Sequence, residues 1–137
     1  MSEIPVYVLD SFAPLSHLQD ERGQGRVLAL LEQAQAGDCR LLLSLINLGE
    51  MAYIVERRRG LPAAQSALAA VQALPVEVLP ADQDAVFGAA HLKARYPISF
   101  ADAFAAEAAL THQAILVTGD PEFKCLEGEL HVEWLER

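Results

Sequence analysis

The sequence predicts an α/β fold: a three-layer sandwich with a mainly parallel central sheet of four to five strands, flanked by helices. Three observations carry that expectation. Short apolar runs alternate with helical segments along the chain, and strands separated by helices imply right-handed crossovers and a parallel sheet covered on both faces. The 137 residues are 53% hydrophobic, which suits a packed globule and not a disordered tail. No repeat, low-complexity tract or linker interrupts the pattern, so residues 1–137 are expected to form one domain that buries roughly two-thirds of its unfolded surface.

Each element has its own signal. Pro5 to Leu9 reads as a strand ending at Asp10, with Ser11 next. Phe12 to Leu18 suits a brief helix, because Pro14 is tolerated in a first turn. Gln19 to Gly25 is polar and reads as a loop. Arg26 to Ala36 is amphipathic and stops at Gly37. Arg40 to Leu43 is a second strand turning at Ser44, after which Asn47 is expected to cap a helix to about Arg59, with Glu50 in its first turn. Gly60 ends that helix. Pro62 opens the next, which runs to about Leu74-Pro75. Val76 to Leu79 is a third strand, and Asp82 caps a helix through Arg95. Ser99 caps an alanine-rich helix, with Asp102 three positions on in a capping-box arrangement, and Phe100, Ala103, Phe104, Ala106 and Leu110 facing inward. Ile115-Leu116-Val117 forms a short buried strand broken by Thr118-Gly119-Asp120-Pro121, and His131 to Trp134 an edge strand.

Composition narrows the function. Ten basic residues against nineteen acidic ones leave a net charge of −9, the wrong sign for a protein that holds nucleic acid through phosphate contacts alone. Acids gathered for a cation give the same balance, because the metal then supplies the positive charge. Cys39 and Cys125 are isolated, and His17, His91, His112 and His131 show no paired ligand spacing, so all six read as structural or surface residues. No apolar run reaches the ~18 residues of a membrane span, and the start lacks the basic region of a signal peptide. A cytoplasmic protein with no membrane partner is expected.

Four acids stand at comparable places. Asp10 and Asp120 follow strands, whereas Glu50 lies in the first turn of the helix after the second strand and Asp102 in the first turn of its own helix. In an open α/β sheet these places share the carboxyl edge, where ligands bind. Clustered carboxylates repel unless a cation neutralises them or one holds a proton, and a hard cation such as Mg²⁺ takes oxygen ligands. Taken singly, Glu50 and Asp102 also suit capping and Asp120 a turn. Arg57-Arg58-Arg59 is the one dense basic cluster, read either as cations at a helix C-terminus or as an RNA-backbone contact.

The segments YVLDS (7–11), SLINLGE (44–50), ISFADA (98–103) and ILVTGDPEF (115–123) resemble, in order and spacing, a PIN-domain ribonuclease of the VapC toxin type. The likeness covers nearly the whole chain. Position by position, the family's four metal-site acids fall on Asp10, Glu50, Asp102 and Asp120, its small hydroxyl residue after the first acid on Ser11, and its hydroxyl before the last on Thr118. The resemblance implies a PIN-like fold and Mg²⁺- or Mn²⁺-dependent endonucleolytic cleavage of RNA. It also implies a homodimer held by a small antitoxin with a basic C-terminal segment. In one departure, the family has a small residue and an aliphatic run after the first acid and hydroxyl, whereas this chain has Phe12-Ala13-Pro14.

Two other functions compete. A non-catalytic PIN-like module would keep the acidic cleft to receive a basic partner segment. A phosphotransfer or receiver domain also gathers acids at a sheet edge, but both lysines, Lys93 and Lys124, lie away from a late strand end, and Asp10 is followed by Ser11-Phe12 where an Asp-x-Asp nucleophile would be needed.

Overall fold

A computed structural model describes residues 3–18 and 23–135. The chain runs β1 (Val6–Leu9), α1 (Phe12–Leu18), α2 (Gln24–Gln35), β2 (Arg40–Ser44), α3 (Leu45–Arg59), α4 (Leu61–Gln72), β3 (Glu77–Leu79), α5 (Gln83–Arg95), α6 (Phe100–Thr111), β4 (Ile115–Thr118), a 3-10 turn (Pro121–Leu126) and β5 (Val132–Trp134). The sheet order is β3-β2-β1-β4-β5, and every adjacent pair is parallel. The expected α/β sandwich is therefore present, with five strands.

Strand alternation divides the core in two, because successive side chains leave opposite faces. Tyr7, Leu9, Leu41, Leu43 and Val117 pack with apolar residues of α2, α3 and α4. Val8, Leu42 and Leu116 pack on the other face with α5, α6, Phe123 and Leu126. Connections from β1 to β2 to β3 advance in one direction, and the chain then returns to place β4 on the far side of β1. With crossovers of constant hand, that reversal sends α5 and α6 to the opposite face. It also creates a switch point between β1 and β4, where the carboxyl ends of neighbouring strands diverge into separate loops.

Several local expectations need correction. Most of the predicted loop at Gln19–Gly25 lies outside the described residues, but α2 already begins at Gln24, after Gly23 in a left-handed conformation (φ 91°). Ser44, not Asn47, caps α3: its hydroxyl accepts from the backbone N–H groups of Ile46 and Asn47 at 3.1 and 3.3 Å. Asn47 is instead fully buried and donates from Nδ2 to the Ala101 carbonyl at 3.1 Å, tying α3 to the start of α6. Glu50 consequently falls in the second helical turn, not the first. Phe100 and Leu110 of α6 are 43% and 38% exposed and do not face inward, whereas Ala103, Phe104 and Ala106 are buried as expected. Asp82 caps α5 through Ala85 N–H (2.9 Å), as its position predicts. Among the described residues no helix is long and apolar enough to cross a membrane.

Candidate metal centre

The site begins with the two acids that flank the switch point. Asp10 directly follows β1 and is almost fully buried. One of its oxygens accepts from the Phe12 N–H at 3.0 Å, and the other from the Thr118 hydroxyl at 2.5 Å. Thr118 ends β4, is wholly buried, and accepts the Asp120 N–H on the same oxygen at 2.9 Å. A single hydroxyl thus clamps the carboxylate beyond β1 to the backbone of the acid beyond β4. Asp120 in turn caps the 3-10 turn by accepting from Glu122 N–H at 2.9 Å.

Asp102 enters from the first turn of α6. Ser99 caps that helix as expected, accepting Asp102 N–H at 3.1 Å. The capping box, however, is not closed by Asp102. The Ser99 N–H donates to Glu122 Oε1 at 2.7 Å, so a residue from the next loop takes the place the sequence offered to Asp102. The Asp102 side chain is thereby left for the cleft. It is buried, and its Oδ2 has no hydrogen-bond partner. Carboxylate oxygens of Asp102, Asp120 and Glu122 lie within 4.8 Å of one another.

Burial and the neighbouring negative charges make Asp10 and Asp102 hard to ionise. Loss of solvent pushes the Asp10 carboxyl up to about 7; the Asp120 charge adds to this, while the hydrogen bonds from Thr118, Ala13 and Phe12 oppose it. Asp102 rises further, to about 9, because of burial first, then the adjoining Asp120 carboxyl, with which its protonated form can share a hydrogen bond, and the charges of Asp120, Asp10 and Glu122. The interaction of Asp10 with both Asp102 and Asp120 places it beside the same group.

Glu50 joins differently. The Ser11 hydroxyl donates a short hydrogen bond to Glu50 Oε1, linking α3 to the residue after Asp10. Glu50 itself lies outside the close group of Asp102, Asp120 and Glu122. Of the expected site residues, then, Asp102 and Asp120 meet directly, Asp10 stands beside them, Ser11 and Thr118 hold acids in place, and Glu50 is tethered through Ser11. Sequence reading missed Glu122. Its signal was present in Asp120-Pro121-Glu122, where a turn brings acids two positions apart onto one side. Arg57, Arg58 and Arg59 form the exposed last turn of α3, about 10–14 Å beyond Glu50 at 1.5 Å per residue, with the Arg57 guanidinium 5.1 Å from the Tyr53 ring centre. Cys39 is buried and Cys125 exposed, and neither is in a disulfide.

The donor set fits a hard divalent cation. Every side chain offered is a carboxylate, one buried oxygen lacks any partner, and the raised ionisation of Asp10 and Asp102 is the cost a cation would remove. A family model for the PIN domain matches residues 7–128. The chain belongs to the PIN-domain family. Solved structures agree in fold. VapBC2 from Rickettsia felis, bound to a DNA fragment from its promoter, is 21% identical with a TM-score of 0.76, covering 96% of this chain and 99% of that one. DNA-bound VapBC from Salmonella typhimurium is 19% identical (TM-score 0.72; 95% and 98% covered). VapC20 from Mycobacterium tuberculosis, a toxin that cleaves the sarcin-ricin loop, is 22% identical (TM-score 0.61; 81% and 86% covered). No curated protein sequence matches the chain.

Proposed function

We propose that this PIN domain is a metal-dependent endoribonuclease, the toxin of a toxin–antitoxin pair, which hydrolyses RNA phosphodiester bonds at the carboxylates of Asp10, Glu50, Asp102 and Asp120. The observation that carries the reading is the buried, unpartnered oxygen of Asp102 beside Asp120 and Glu122 at the switch point. A fold gains nothing in stability from such a group, and functional sites are where such costs persist. Asp10, Asp102 and Asp120 would hold Mg²⁺ or Mn²⁺, with Glu50 as a further ligand or as the group orienting the attacking water. A divalent cation bound there lowers the pKa of water and neutralises charge on the attacked phosphoryl group.

The remaining steps belong to the protein. Thr118 fixes the oxygen of Asp10 that faces β4 and holds the Asp120 backbone, so the two acids keep one separation. Asp102 would hold a cation only as its carboxylate, so binding there would release a proton from it. Ser11 aims Glu50 toward the first strand. With a net charge of −9, RNA and cation bind together more strongly than RNA alone. The protein acts as a homodimer, and an antitoxin's basic C-terminal segment silences it by entering the acidic cleft; relatives of this fold include VapBC toxin–antitoxin complexes.

The test is cleavage of a broad single-stranded RNA pool. Wild-type protein with Mn²⁺ is expected to cut, and Asp10→Asn or EDTA to stop cutting. Equal cleavage by both proteins, or none by either across the pool, favours a binding module whose cleft only receives a basic segment.

A further inference from the structure

Phe12 and Gly119 meet across the mouth of the acid cleft. Phe12 follows Asp10 by two residues, and Gly119 immediately precedes Asp120. A Cβ built on Gly119 would lie 2.6 Å from Cε1 and Cζ of the Phe12 ring and 3.0 Å from Cε2, closer than side chains approach. Gly119 is not among the glycines with positive φ, which are Gly23, Gly37 and Gly60. Its backbone would accept alanine, so the neighbouring ring is what demands glycine here. The half-buried ring is backed by the core beneath α2 and α3, which limits its retreat.

The same residue also holds the other acid. The Phe12 N–H donates to Asp10 Oδ1, while the Phe12 ring abuts the residue before Asp120. One residue thereby touches both sides of the switch point, through its backbone on one side and its ring on the other. Asp10 and Asp120 repel each other across the Thr118 clamp, and Gly119 lies in the turn that carries Asp120. A ring wedged against that turn opposes any change in their separation.

We propose that Phe12 and Gly119 form an interlocking positioning pair that sets the spacing of Asp10 and Asp120, and with it the affinity for the divalent cation. The inference rests on the metal-site reading above and assigns Phe12 no contact with the reacting atoms. The bulk placed after Asp10-Ser11 is matched by the absence of a side chain before Asp120.

Calorimetric titration with Mn²⁺ alone tests it, on the wild type, Phe12→Leu, Phe12→Ala, Gly119→Ala and the double variant Phe12→Ala/Gly119→Ala, with melts in EDTA recorded beside each. Removing a group that orients ligands costs about 10-fold or more in metal affinity, and that loss is expected for each alanine single variant. Phe12→Leu keeps a bulky apolar group against Gly119 and should stay within about threefold of wild type, well inside that loss. The double variant, in which the new methyl fills part of the space the ring vacates, should bind more tightly than Gly119→Ala alone. Phe12→Ala and Gly119→Ala within twofold of wild type, whatever their melts do, would overturn the pair, and so would strictly additive losses in the double variant. A wild type that takes up no Mn²⁺ overturns the metal reading itself, a result distinct from unchanged affinity among the variants.

Discussion

Replacing Asp10 by asparagine keeps the size of the side chain and removes its charge, so it isolates the cost of ionising a buried acid. In the folded protein the Asp10 carboxyl titrates near 7, against 3.8 for an ordinary aspartate, chiefly because burial strips it of water. At 1.36 kcal/mol per pH unit, a displacement of roughly three units amounts to about 4 kcal/mol. The sign follows from proton counting. Between these two values the folded state holds a proton that the unfolded chain has lost, so stability falls as pH rises. Wild type therefore keeps its full stability below about pH 4 and loses it progressively up to about pH 7. Asp10→Asn has no such loss. At pH 8 in EDTA the variant should melt above wild type by roughly 10 °C, at about 3 °C per kcal/mol, and the gap should close near pH 4. Mn²⁺ at a hundred times its Kd adds about 2.7 kcal/mol to the wild type alone, which should narrow the gap to roughly 4 °C. Calorimetric melts at several pH values, with EDTA or Mn²⁺, read all of this. An Asp10→Asn melt below wild type by the same margin at every pH would refute the reasoning and make Asp10 a structural acceptor for Phe12 and Thr118.

Other consequences follow from the same geometry. Mn²⁺ affinity should weaken as pH falls below about 9, where protons compete for Asp102, and more steeply below about 7, where they compete for Asp10 as well; titrations at pH 6, 7.5 and 9 would show a flat profile if the acids were not ligands. Thr118→Val keeps the shape but strands the Asp10 oxygen and the Asp120 N–H, costing about 1–3 kcal/mol in a denaturant titration, whereas Thr118→Ser should recover most of it. Glu122→Gln retains an acceptor for the Ser99 N–H, so its melt in EDTA should match wild type while Mn²⁺ binding falls several-fold; unchanged binding would leave Glu122 as a cap for α6 only.

The sheet, the helix order and the edge carrying the acids were legible in the sequence because they depend on local periodicity. Val8 and Leu42 differ from Tyr7, Leu9, Leu41 and Leu43 only in parity, and parity alone assigns them to opposite cores. The caps at Asp82 and Ser99 were likewise visible, since each needs only a hydroxyl or carboxylate beside a helix start. What failed was local chemistry overridden by distant partners. Ser44 and Asn47 are both good capping residues, and the choice fell to Ser44 because Asn47 is used across the fold, on the Ala101 carbonyl. Asp102 had the position to close its own capping box, yet Glu122 reaches the Ser99 N–H from another loop. That substitution both hid Glu122 from sequence reading and freed Asp102 for the cleft. The contact between Phe12 and Gly119 could not be read from either residue, because it depends on how two loops at the switch point approach.

The most direct measurement is anomalous diffraction from crystals of the protein equilibrated with Mn²⁺ at pH 8. A single strong peak within about 2.3 Å of carboxylate oxygens from Asp10, Asp102 or Asp120 is the expected result, with the Asp102 oxygen that now lacks a partner turned toward it. An empty cleft at saturating Mn²⁺, or a peak held only by exposed acids elsewhere on the surface, would contradict a metal-dependent nuclease at this edge of the sheet.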